Sequence, residues 1–196
     1  QAERLLAGIT LGLDMAAAPL IAAGLQLYWT HLVRASAQAV PNPYGYVQDA
    51  TRCPCCGSLP TASVTRVGGD SEGFRYLHCA LCNAEWHMVR IKCTHCLSTG
   101  GVRFRALQAL ADADQSTRRE SVQAETCDTC QHYLKIVHMD RDLHVETVAD
   151  DLASLTLDLL VAEEGYQRHG VNFMLLFGDG DEGGEAAPPP PERGSA

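Results

Sequence analysis

The chain has 196 residues, enough for one medium domain or two small ones, and 46% of them are apolar, so a buried core is within reach. The formal charge is −9. Asp179, Asp181, Glu182, Glu185 and Glu192 against Arg193 carry part of it, and the −5 left elsewhere argues against general binding to a nucleic-acid backbone. The longest apolar run, Met15 to Leu25, contains Pro19 and falls far short of the ~20 residues a spanning helix needs, so no membrane insertion is expected. No secretory signal is visible, which predicts a cytoplasmic location where paired thiols stay reduced. The chain opens on Gln1 in residues that already read as helix, as expected of a piece lacking its natural N-terminal part.

In chain order, "DMAAAPLIAAGLQLYWTHLVRASAQAV" predicts a helix from about 18 to 38, with Pro19 in its first turn. Leu20, Ala23, Leu27, Tyr28 and His31 recur at helical spacing, and Tyr28 and Trp29 read as core or domain contacts. "VPNPYGY" at 40–46 ends the helix. From 51 to 147, short β-rich pieces ("TASVTRV", "FRYLH", "EWHMVRIK", "VRFRAL", "YLKIVHM") alternate with cysteine pairs, and Gly68-Gly69 and Gly100-Gly101 mark turns. The polar stretch at 108–125 reads as an exposed loop. A second helix is expected from about Val148 to Gln167. There Val148, Leu152, Leu155, Leu159, Ala162 and Tyr166 form an apolar stripe, and Asp151, Ser154 and Asp158 a solvated acidic one. The Gly/Pro/acid-rich stretch at 178–196 reads as disordered.

All nine cysteines fall in four short stretches: "CPCCG" (53–57), "CALC" (79–82), "CTHC" (93–96) and "CDTC" (127–130). A C-x-x-C turn converges two sulfurs on one ion, and two turns complete a tetrahedron. Sequence order groups Cys53, Cys56, Cys79 and Cys82 as one site and Cys93, Cys96, Cys127 and Cys130 as another. Each half has room for a β-hairpin between its knuckles, while the ten residues 83–92 suit one strand leading from the first ribbon to the second. The expected fold is α+β: tandem rubredoxin-like or zinc-ribbon modules packed with flanking helices. Its expected divisions are 1–45 (the end of an N-terminal helical region), 50–92 and 93–147 (the two ribbons), 148–177 (a C-terminal helix) and 178–196 (the tail). Dithiol redox chemistry would want a low-pKa thiolate near a helix N-terminus, whereas these pairs lie among strands. Closed four-thiolate sites hold zinc or iron, leave no open position for a substrate and contribute folding energy, so two ions per chain are expected. Cys55 is left over as a spare thiol. His78, His87 and His95 lie near the knuckles in supporting or surface roles rather than as ligands.

The stretches "LIAAGLQLYWTHL", "CPCCGSLPTASV", "GFRYLHCALCNAEWHMVRIKCTHC", "CDTCQHYLKIV" and "VADDLASLTLDLLVAEEGYQRHGVNFMLL", in that order, resemble the formate dehydrogenase accessory protein family, FdhE. The resemblance runs from about 18 to 177. It implies a cytoplasmic maturation factor, not an enzyme, that contacts the formate dehydrogenase catalytic subunit and binds iron through its C-x-x-C motifs. It carries the metal role onto Cys53, Cys56, Cys79, Cys82, Cys93, Cys96, Cys127 and Cys130, and favours iron over zinc. Cys55 falls where the family motif varies.

Two other readings compete. A rubredoxin-like iron site can pass electrons to or from formate dehydrogenase. A zinc ribbon can bind nucleic acid, but residues 63–135 carry nine Lys/Arg against eight Asp/Glu, so no basic stripe stands out. No catalytic constellation or Gly-rich phosphate loop is visible, and no oligomeric state is implied.

Overall fold

β-branched and aromatic residues flank each cysteine pair, and they become strands of one mixed sheet. The structure, a computed structural model, describes residues 1–9, 11–39, 50–69, 73–107 and 121–175. The expected helix end at 40–46, most of the expected loop (108–120) and the 178–196 tail lie outside these residues. Helices α1 (Ala2–Leu6) and α2 (Ala18–Ala39) precede strands β1 (Pro60–Thr65), β2 (Arg75–Cys79) and β3 (Glu85–Met88). Next come β4 (Val102–Arg105), β5 (Val122–Cys127) and β6 (His132–His138), helices α3 (Thr147–Ala153) and α4 (Leu155–Glu163), and the two-residue β7 (Gln167–Arg168). No described helix is long and apolar enough to cross a membrane.

β1–β2–β3 and β4–β5–β6 are two antiparallel ribbons of the same plan, each with a knuckle before its first strand and another after its second. They join into one seven-stranded sheet in the order β3-β2-β1-β6-β5-β4, with β7 beside the start of β6. The seam is parallel: Ser63 faces Ile136, Val64 faces Val137 and Thr65 faces His138. First strand meets last strand, a head-to-tail arrangement that leaves β3 and β4 as the edges. β1, interior to the sheet and covered, is buried at all six positions, whereas edge strand β3 alternates exposed and buried.

Residues 122–125, assigned to a loop for their polarity, belong to β5, where Glu125 and Thr126 are buried. The second helix is broken at Ser154, and its acidic stripe faces inward: Asp151 is 0% exposed, while Leu159 of the supposed core stripe is 67% exposed. The cause is Lys135, buried in the middle of β6. Its ammonium donates to the Asp151 and Asp158 carboxylates (2.9 and 2.6 Å), the Asp151 carbonyl (2.6 Å) and the Ser154 hydroxyl (3.0 Å). A buried cation needs such partners, and it satisfies the carbonyls left at the end of α3. Arg168 and Asn172 complete the network on Asp151, and Tyr133 donates to Asp158. Helix α2 likewise buries Ala18 and Ala22 and packs Ile21, Leu25, Trp29 and Val33 on the core, so Leu20, Leu27 and Tyr28 point outward; Trp29 is a core contact and Tyr28 is not. Close approach explains Gly170: a Cβ there would meet the Leu134 side chain at 2.6 Å and the Pro60 and Thr61 carbonyls at 2.8 Å.

Candidate metal centres

Each knuckle is built by the same local device. The residue after the second cysteine is left-handed in all four: Gly57 (φ 76°), Asn83 (φ 56°), Leu97 (φ 61°) and Gln131 (φ 56°). That turn lets the amides of Gly57, Leu97 and Gln131 donate back to the carbonyls of Cys53, Cys93 and Cys127 (2.8, 3.0 and 2.9 Å). Amides also point at sulfur. Leu81 and Cys82 donate to Cys79 Sγ at 3.4 Å, and His95 and Cys96 to Cys93 Sγ at 3.4 and 3.5 Å. Donors aimed at sulfur stabilise thiolate over thiol.

The structure brings the eight cysteines together in the groups that sequence order suggests: Cys53, Cys56, Cys79 and Cys82 in one, Cys93, Cys96, Cys127 and Cys130 in the other. Cys55 is in neither; its thiol is pushed up to about 12, chiefly by burial and then by the charge of Cys53. Across the first group Cys53–Cys82 and Cys56–Cys79 sulfurs are 3.5 and 3.4 Å apart; across the second Cys93–Cys130 and Cys96–Cys127 are 3.6 and 3.8 Å apart. Zinc–sulfur bonds of about 2.3 Å set the edge of a thiolate tetrahedron at about 3.8 Å, so both groups fit one tetrahedral ion each. Four sulfurs this close cannot all ionise without a cation. Cys53 is accordingly held low by hydrogen bonds from Cys56, Cys79 and Cys82, while Cys79 is pushed high by its hydrogen bond to Cys53. In the second group burial raises Cys127, yet amides of Cys130 and Thr129 bring it down to about 7.

The surroundings differ. The first group belongs to the apolar cluster of Leu77, Met88, Trp86 and Phe173, and α2 lies on its second knuckle: Gln26 donates to the Ala80 carbonyl (2.7 Å) and Asn83 to the Thr30 hydroxyl (3.0 Å). In the second group Cys96 is exposed and Cys130 half-buried. That group is supported from the first ribbon by Arg75, fully buried on β2, which donates to the Lys92 carbonyl (3.0 Å) just before Cys93 and pairs with Glu125 (2.9 Å) on β5, two residues before Cys127. The pair is a charge contact without an aligned hydrogen bond between its facing atoms, and burial raises Glu125 to about 7 against the pull of Arg75.

Of the histidines singled out in the sequence, His78 contacts Glu85 and Asn83 (3.4 and 3.2 Å), and His87 packs edge-on against Phe74 and Tyr76. His95 stacks on His132, and His169 meets His95 edge-on. His132 and His169 are additions from the fold: β7 pairs with β6 and so delivers His169, a placement no local pattern announces.

Residues 52–90 match the family model described as "FdhE, central domain" and residues 91–175 the one described as "FdhE, C-terminal domain". The chain is 41% identical over 164 residues to Protein FdhE of Escherichia coli K12, covering 84% of this chain and 50% of that protein; Protein FdhE of Escherichia coli O9:H4 matches with the same identity and coverage. The chain thus spans about half the length of the curated relatives it matches. Among solved structures it is similar to the FdhE protein from Pseudomonas aeruginosa, with a TM-score of 0.79 and 38% identity over 90% of this chain and 58% of that one.

Proposed function

This chain belongs to the FdhE family, and on that premise we propose that it is a non-enzymatic accessory factor in the maturation of formate dehydrogenase. It acts in the cytoplasm by holding the catalytic subunit before the finished enzyme leaves assembly. Cys53, Cys56, Cys79 and Cys82 ligate one ion and Cys93, Cys96, Cys127 and Cys130 a second, with iron favoured over zinc by the family likeness. The observation that carries this reading is the pair of closed tetrads. A four-thiolate site offers no open position to a substrate, so an ion there cross-links strands and fixes a surface instead of performing hydrolysis or hydride transfer.

The test is genetic and biochemical. Deleting the gene in its host abolishes formate dehydrogenase activity and spares other molybdoenzymes, the natural-length protein co-purifies with the formate dehydrogenase catalytic subunit, and Cys93→Ser reproduces the deletion. Full formate dehydrogenase activity in the deletion strain, with no related protein to substitute, contradicts it. One observation favours a second reading, electron transfer to or from formate dehydrogenase: Cys96 is exposed, as a ligand at an electron-exchange surface would be. A reversible one-electron couple at a potential matched to the dehydrogenase distinguishes that role.

A further inference from the structure

Beside the second tetrad stands a cluster that the four-thiolate arrangement does not use. The imidazoles of His95 and His132 lie face to face, 3.7 Å between centroids and 4° between planes, and His169 closes one side edge-on at 5.1 Å and 78°. A ring nitrogen of His95, a ring nitrogen of His132 and the sulfur of Cys130 all lie within 4.8 Å of one another. The placement follows from the ribbon. His95 is carried by the knuckle ahead of β4, and His132 opens β6 opposite Cys127, so the two knuckles that converge their sulfurs also converge these rings.

The histidine best fixed is His132. Its Nδ1 lies 2.7 Å from the carbonyl of Cys130. A carbonyl only accepts, so Nδ1 carries the proton and Nε2 of the neutral ring presents a lone pair. Metal-binding histidines are held in the same way, one ring N–H on a carbonyl and the other nitrogen on the ion. His169 is anchored by its own amide to the Tyr133 carbonyl (2.9 Å) and by Nε2 to the Thr51 carbonyl (3.4 Å), and so forms a fixed wall against His95. His95 is exposed. Stacked rings keep their lone pairs in parallel planes, so holding one ion between them requires the exposed His95 ring to turn out of the stack.

We infer that His95, His132 and Cys130 form a third cation site, taking a borderline divalent transition ion such as Zn²⁺, Fe²⁺ or Co²⁺ through two imidazoles and one thiolate. This rests on the reading of Cys130 as a ligand of the second tetrad, whose sulfur then bridges the two ions. Imidazole with thiolate selects such ions over Mg²⁺ or Ca²⁺. Three protein ligands leave one position open, in contrast to the closed tetrads. An ion held there already shares Cys130 with the second tetrad, and exchanging its two imidazoles for the sulfurs of Cys93, Cys96 and Cys127 would complete the move, which makes the site a loading position beside the exposed Cys96.

The experiment uses the full chain, stripped of metal and titrated anaerobically with Co²⁺. Bound metal is counted by equilibrium dialysis, and the visible and near-ultraviolet spectrum reports thiolate and imidazole ligation. The wild type takes up one equivalent more than the two tetrads hold, with lower affinity than either. His95→Gln, at an exposed position, and the His95→Gln/His132→Gln pair each lose that equivalent and keep the four-thiolate spectrum. A wild type that saturates with the tetrads alone overturns the inference, as does an extra equivalent that survives in the double variant. Failure to fill even the tetrads, in wild type and variants alike, instead removes the two-centre reading beneath it.

Discussion

In the first ribbon Cys53, Cys79 and Cys82 are buried and Cys56 half-buried, all in one cluster with Leu77, Met88, Trp86 and Phe173; in the second, Cys93 and Cys127 are equally buried, but Cys96 is open to solvent and the half-buried Cys130 stands beside His95 and His132. The turns differ as well. The first ribbon's left-handed positions are filled by Gly57 and Asn83, residue types that tolerate that conformation, whereas the second's are filled by Leu97 and Gln131. One C-x-x-C chemistry is thus set in two environments. The first centre is part of the core. The second opens to the surface at Cys96, places leucine and glutamine in its left-handed turn positions, and borrows support from the first through Arg75.

The largest effect expected from this contrast comes from exchanging one ligand in each centre. Cys79→Ser puts a hydroxyl into the apolar cluster and removes one of the proposed ligands there, and because that centre is packed into the core the whole fold should fail. The scale is a sizeable part of the roughly 10–16 kcal/mol that structural zinc contributes in small domains. Cys96→Ser should give a folded chain that lacks only the second ion. Circular dichroism melts with metal counts decide it, and equal melting of the two variants breaks the contrast.

Next comes the link between the ribbons. Arg75→Met leaves Glu125 buried without its counter-ion and should cost about 3–5 kcal/mol in denaturant unfolding, with loss of metal at the second centre. Glu125→Gln is milder and has a pH signature. The raised pKa of Glu125 means that its contribution to stability is fully present below its unfolded value and is lost as pH rises through about 7. Metal–thiolate binding strengthens over the same range, so the two slopes have opposite signs. Unfolding measured from pH 5 to 8 should show Glu125→Gln without the decline. The smallest effect belongs to the strained turn: Leu97→Asn should stabilise the metal-free chain by about 1 kcal/mol, while a change of Asn83 to leucine should do the reverse in the first ribbon.

The cysteine spacing made the two groups legible, because a C-x-x-C turn has local geometry and needs only its own residues. Strands β1, β2, β3, β4 and β6 were legible for the same reason, as β-branched and aromatic runs between turn signals. β5 was not. "VQAETC" is polar, and its burial depends on Arg75, a residue of the other ribbon, to accept Glu125. The helix faces were read inside out for a related cause. Sequence periodicity puts Asp151 and Asp158 in water, and only the tertiary fold brings Lys135 and Arg168 against them. The parallel seam between β1 and β6, and the delivery of His169 by β7, are long-range pairings without a local signature.

The central claim, two four-thiolate ions of unequal accessibility, is tested most directly by metal release. Anaerobically purified, metal-loaded chain is mixed with excess chelator and the departing ion is followed with time. From chain loaded with two equivalents, the two ions should leave in two well-separated phases, the fast one missing in Cys96→Ser. A single phase, or a total of one ion or none, would contradict the account.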